Sequence, residues 1–180
     1  MIVFYQHVFP IFDFKEQAET QRERIRKAFC FSRERHGIIT CETQSEQQTL
    51  QRLVWDARSG GAEYYCYIHL KGLTHPADNF VADWKEMLEY FNIDCWRRCV
   101  EELKRGADMV GVELMETQPP HYSGNFFWCK SHTFEYLPSV VSVPNPEFWV
   151  GDHKGLLKMA TLHNSGVNHY QERYPPERYR

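Results

Sequence analysis

The run EYYCYIHL (63–70) is apolar on both faces, so a strand made from it has no face suited to water. Such a run is expected where a strand lies in the middle of a sheet with helices on both sides. Its flanks agree. Residues 2–8, IVFYQHV, have the β-branched and aromatic character of a strand closed by Pro10, and GIITC (37–41) forms another. Between them Phe14, Ala18, Ile25, Ala28 and Phe29 recur at helical spacing, predicting a helix over 13–31 with one buried stripe. After Thr43 and Ser45, both able to cap a helix, Leu50, Leu53, Val54 and Ala57 repeat that spacing until Gly60 and Gly61 end it.

Two more helices follow a Gly, Thr, Pro and Asn loop. Trp84, Met87, Leu88 and Phe91 share one face of the first, and Trp96, Cys99, Val100 and Leu103 one face of the second. Residues 108–114 and 123–129 read as further strands, and the Pro-containing last third as loops with short helices. Alternation of strand and helix predicts an α/β chain with an open, mainly parallel sheet covered by helices on both faces. At 180 residues one domain is expected, with a first half to about residue 105 and a second from about 106.

Lys plus Arg number 21 against 24 Asp plus Glu, a net charge of −3, which lacks the basic excess of a nucleic-acid binder. The six cysteines form no CxxC pair; Cys95 and Cys99 lie a helical turn apart with no second pair to complete a metal site, so reduced, mostly buried thiols are expected. No window holds the roughly 18 apolar residues of a membrane span, and the N-terminus has no basic start before an apolar run. A cytoplasmic location without a transmembrane segment is the expectation.

In open α/β sheets ligands bind beyond the carboxyl ends of the strands. Three polar clusters fall there or on a strand's approach: Tyr5, Gln6 and His7; His69, Lys71 and Gly72; and His121, Ser123, Gly124 and Asn125. A Lys at the end of a buried strand, beside a His and before a Gly, can hold a phosphate by charge while the Gly lets backbone amides approach. Alternatively Lys71 marks where the strand meets water, His7 is a satisfied half-buried ring, and the Ser-Gly-Asn turn only feeds a core strand.

The segments YIHLKGLTHP (67–76), VADWKEMLEYFNIDCW (81–96), PHYSGNFFWCKSHTFEYLP (120–138) and EFWVG (147–151) together resemble a family of small bacterial and viral glycosyltransferases with a GT-A-type fold. Those relatives carry His-aromatic-Ser-Gly-Asn-Phe-Trp-Trp, then Leu-Pro, then Glu-Phe-Trp-Ile-Gly. The resemblance spans residues 1 to about 151, with Phe127 where the relatives usually have Trp. It implies a nucleotide-diphosphate sugar donor and a glycan or lipid-linked acceptor. Tyr5, Gln6 and His7 would then face base and ribose, and His69, Lys71 and Gly72 the diphosphate. His121, Ser123, Gly124 and Asn125 would face acceptor hydroxyls.

Many GT-A enzymes hold Mn²⁺ or Mg²⁺ with Asp-x-Asp. This chain contains none, and Lys71 could neutralise a leaving diphosphate directly. No cofactor is implied with certainty, and a divalent Mn²⁺ or Mg²⁺ stays open. For an inverting transfer Glu147 is the first candidate for general base, with Glu113 and Asp152 in reserve; Glu147 could equally be a helix-start carboxylate. Two other classes compete: a non-catalytic nucleotide-sugar or glycan-binding module on the same fold, and a hydrolytic metal site, which the lack of HxH and HExxH disfavours.

Overall fold

The computed structural model describes residues 1–10, 14–71, 79–117, 119–151 and 155–180. The expected opening is present: β1 (Ile2–Val8), α1 (Lys15–Phe29), β2 (His36–Glu42), α2 (Glu46–Arg58) and β3 (Tyr64–His69). Every residue of β1 and β3 is buried, whereas β2 is half-buried, as an edge strand should be. Next come α3 (Asn79–Glu89), a π-helical turn (Tyr90–Asp94) and α4 (Trp96–Lys104). The later strands are short: β4 (Met109–Gly111), β5 (Leu114–Met115), β6 (His121–Tyr122), β7 (Phe127–Lys130) and β8 (Met159–Thr161).

Among the described residues the main sheet has six strands in the order β2-β1-β3-β7-β4-β8, and β5 pairs with β6 beside it. The fold is thus a single-domain mixed α/β arrangement. β1 runs parallel to β2 and β3, and β4 parallel to β8, but β7 is antiparallel to both its neighbours. The chain leaves β1 for β2 on one side and returns to β3 on the other, so strand order reverses between the carboxyl ends of β1 and β3. That is where an open sheet leaves a crevice.

Alternate strand residues build two cores. Ile2, Phe4, Cys66, Ile68, Val110 and Trp128 pack with residues of α1, α3 and α4; Val3, Tyr5, Tyr65, Tyr67, Met109 and Phe127 pack with α2 and with 3-10 turns at Ser131–Glu135, Val140–Ser142 and Pro146–Gly151. Helical structure covers both faces. All six cysteines are free; Cys66, Cys99 and Cys129 are buried, and burial pushes their thiols well above the ordinary value.

Two strands differ from expectation. The 108–114 segment leaves the sheet after Gly111, because Glu113 takes a left-handed backbone (φ 54°) that no strand accommodates. In 123–129 only the apolar end enters the sheet, since Gly124 (φ 91°) and Asn125 (φ 53°) form a left-handed turn.

Candidate functional site at the carboxyl ends of β1 and β3

His7, one residue short of the end of β1, and His69, the last residue of β3, are register partners. Because β7 runs against them, the turn that precedes it is brought to this same end of the sheet; before a parallel strand it would lie at the opposite edge. The contact is direct. His69 Nε2 lies 2.8 Å from the Gly124 carbonyl oxygen, which can only accept, so this nitrogen carries the proton.

Between these strand ends stands Glu46, in the first turn of α2, a residue the sequence did not single out. Its Oε2 accepts from the Tyr67 hydroxyl (3.0 Å) and from Asn125 Nδ2 (2.7 Å). Burial works to raise its pKa, but His69, the two hydrogen bonds and His7 outweigh that and hold the carboxyl below its ordinary value. His7 is 1% exposed. Its Nδ1 meets Thr49 Oγ1 (2.9 Å) and Thr43 Oγ1 (3.2 Å), while among the described residues its Nε2 has no partner. Burial lowers its pKa to about 4, with His69 acting the same way and Glu46 opposing.

Lys71 sits in the turn after β3, half-buried, with its Nζ 4.0 Å from the centroid of the Trp84 ring. Burial lowers its pKa, opposed by Glu147 and then Glu46. Among the described residues no carboxylate reaches ion-pairing distance of this ammonium. Glu147 is nevertheless close by: its Oε1 accepts the Gly124 N–H at 2.6 Å. Gly124 needs both its φ and its missing side chain, for a Cβ there would lie 2.7 Å from Leu88 Cδ1. The segments 120–125 and 147–151 are locked again at Gly151, where a Cβ would fall 1.6 Å from the Pro120 carbonyl oxygen.

The other predicted residues are distributed as follows. Tyr5 and Gln6 point to opposite faces of the sheet and are fully buried. Tyr5 donates to Asp56 Oδ2 at 2.5 Å; Gln6 bonds the Ala18 carbonyl, Gln21 and Arg22. His121 packs edge-on against Phe148 (4.7 Å), its Nδ1 3.3 Å from both Thr117 Oγ1 and the Pro119 carbonyl. Gly72 and Asp152 lie outside the described residues.

Ser123 and Glu113 face a neighbouring cavity of about 460 Å³, whose wall also includes Trp84, Asn164, Asn168 and Tyr170. Glu113 is 6% exposed; its Oε1 accepts the Ser165 N–H (2.5 Å) and its Oε2 lies 3.5 Å from His169 Nε2. Burial raises its pKa, but His169 and Ser165 overcome this and leave it lowered. Trp84 therefore stands between Lys71 and this cavity.

Among the described residues no group of three or more His, Cys, Asp and Glu side chains could hold a metal ion, and no helix is long and apolar enough to cross a membrane. Chemically, the crevice offers a cation without a contact ion pair among the described residues, a neutral buried imidazole, and carboxylates on either side of Trp84. No protein-family model, curated protein or solved structure matches this chain.

Proposed function

We propose that this protein transfers a sugar from a nucleotide-diphosphate donor to a glycan or lipid-linked acceptor, on a fold of the GT-A type. The observation that carries the reading is Lys71: a half-buried ammonium with no contact counter-ion among the described residues, beside the crevice where the strand order reverses. An anion is the natural complement of such a group, and a diphosphate leaving group develops its charge during reaction, where a fixed cation is most effective. In the transfer the acceptor oxygen bonds to the anomeric carbon as the bond from that carbon to the diphosphate breaks. The bonding pair leaves on the diphosphate oxygen against Lys71, and the acceptor's proton passes to a carboxylate.

Glu147 is our assignment for that base, because Gly124 N–H fixes one of its oxygens beside Lys71. The motif resemblance and the crevice support the same reading. That same hydrogen bond favours a second reading, a non-catalytic module in which Glu147 only organises the turn. Calorimetric titration of UDP and GDP, with manganese and with EDTA, tests the first. Binding should persist in EDTA and weaken about tenfold or more in Lys71→Ala, in line with about 1.5–3 kcal/mol for a hydrogen bond to a charged group. Binding lost in EDTA but retained in Lys71→Ala would refute the charge argument, and binding without turnover across donors and acceptors would favour the module.

A further inference from the structure

The cavity on the far side of Trp84 has a wall whose polar groups are already oriented. Asn164 Oδ1 accepts the Leu114 N–H (2.9 Å) and Asn168 Oδ1 accepts the Tyr170 N–H (3.0 Å). A backbone N–H can only donate, so these contacts identify which end of each amide is oxygen. Each NH₂ group is left without a partner among the described residues. Both side chains are exposed, so these two donors are open to a ligand.

Glu113 supplies acceptor oxygens to the same wall and holds a left-handed backbone (φ 54°) that is unfavourable for a long side chain. That conformation persists because the Glu113 N–H donates to the His163 carbonyl, its own carbonyl accepts from Ser123, and its carboxylate accepts from Ser165. Strain fixed from three sides at a cavity wall is a sign of a position under functional demand. Tyr170 adds a ring that is 62% exposed and meets Trp84 edge-on at 5.4 Å. The volume of about 460 Å³ falls within the range of about 300–1,000 Å³ usual for small-molecule sites.

We propose that this cavity is the subsite for an uncharged pyranoside, the terminal sugar of the acceptor, lying on the Tyr170 ring with its hydroxyls on Asn164, Asn168, Ser123 and Glu113. Two fixed amide donors, a hydroxyl and a carboxylate acceptor complement hydroxyl groups, which both donate and accept, and the exposed ring complements the apolar face of a pyranose. A nucleobase would use the ring but not so many separate polar groups. An anionic sugar would meet Glu113. The assignment as acceptor rests on the sugar-transfer reading: Ser123 adjoins Gly124, which holds Glu147, and Trp84 carries Lys71, so a sugar here lies next to the donor's crevice.

The test is saturation-transfer NMR of the intact chain with a panel of methyl hexopyranosides and N-acetylhexosaminides, followed by titration of any binder. Calorimetric titration of UDP and GDP is run on the same preparation. Tyr170→Ala removes the ring at an exposed position, and Asn168→Asp keeps the oxygen that holds the Tyr170 N–H while deleting the NH₂ donor. At least one glycoside should bind, and each variant should weaken it about tenfold, the scale of an aromatic contact or a single hydrogen bond. The proposal is overturned if no glycoside binds, or if the binder keeps its affinity in both variants. Lys71-dependent nucleotide binding with no glycoside binding would sink the subsite and leave the transferase reading standing. Glycoside binding lost in these variants, with no nucleotide bound, would establish the subsite and overturn the transferase reading.

Discussion

His7 makes a prediction that can be worked through in numbers. Its ring is neutral when buried, with a folded-state pKa of about 4, against about 6.5 in the unfolded chain. Below pH 6.5 the unfolded state therefore binds a proton that the folded state does not. The stabilisation is complete above that pH and is lost as pH falls towards 4. Integrating between those two values gives a loss of about 2 kcal/mol by pH 5 and about 3 kcal/mol by pH 4 from this one group. His7→Gln keeps a polar group near Thr49 and cannot titrate. It should be less stable than the parent at neutrality by about 1–2 kcal/mol, and the gap should narrow, then reverse, on acidification. Urea unfolding followed by tryptophan fluorescence, from neutrality to about pH 4.5, measures this; the carboxylates, ordinarily near 4, begin to titrate at the acid end of that window but are common to parent and variant, so they cancel in the difference. His163, whose pKa burial also lowers, contributes to both proteins and cancels in the difference. A constant difference between parent and variant across the window would mean that the ring is not held neutral, and the reasoning would fail.

Glu147→Gln should lower turnover by about a hundredfold or more, the usual scale of a general base, while nucleotide affinity measured by calorimetry stays nearly unchanged. A shifted melting temperature with an intact rate per folded molecule would make Glu147 structural. Gly124→Ala combines a left-handed backbone with a methyl 2.7 Å from Leu88, which should destabilise by about 2–4 kcal/mol in urea unfolding. Gly151→Ala puts its methyl into the Pro120 carbonyl and should yield little soluble protein on expression. Nucleotide affinity should decline on raising pH earlier than an ordinary lysine would dictate, since burial lowers the Lys71 pKa; an affinity flat across alkaline pH would detach binding from Lys71.

The elements up to α4 could be read from the sequence because their signals are local: periodicity and Gly or Pro breaks lie within each segment, although Ser45, at the N-cap position of α2, makes no side-chain capping bond. The direction of β7 could not. Apolar content marks FFW as strand without saying which way it runs, and that direction decides where the His121–Asn125 turn arrives. Glu46 was hidden for a related reason. A Glu after Ser45 looks like first-turn decoration on a helix, and only Tyr67 and Asn125, 21 and 79 positions away, make it the hub of the crevice. For Tyr5 and Gln6 a usable signal existed: neighbours on a strand face opposite ways, so the two could not share one pocket with a single orientation. Asn164 and Asn168 fall in the loop-rich last third, and nothing in the sequence singles them out; that their amide oxygens are occupied, leaving the NH₂ groups as fixed donors, is visible only in the structure.

The place of β7 also shapes how the chain reaches this structure as it is made. Strands β2, β1 and β3 are all synthesised by residue 69, but the partner on the free side of β3 does not begin until residue 127. At ribosomal rates of about 5–20 residues per second, β3, every residue of which is buried in the finished fold, waits roughly 3–12 s with an unpaired edge. An unprotected edge of that kind is a template for pairing with another nascent chain. Aggregation on overexpression should therefore follow how quickly the ribosome crosses residues 70–126, and slower synthesis through that stretch should worsen the yield of a protein whose finished fold is unchanged.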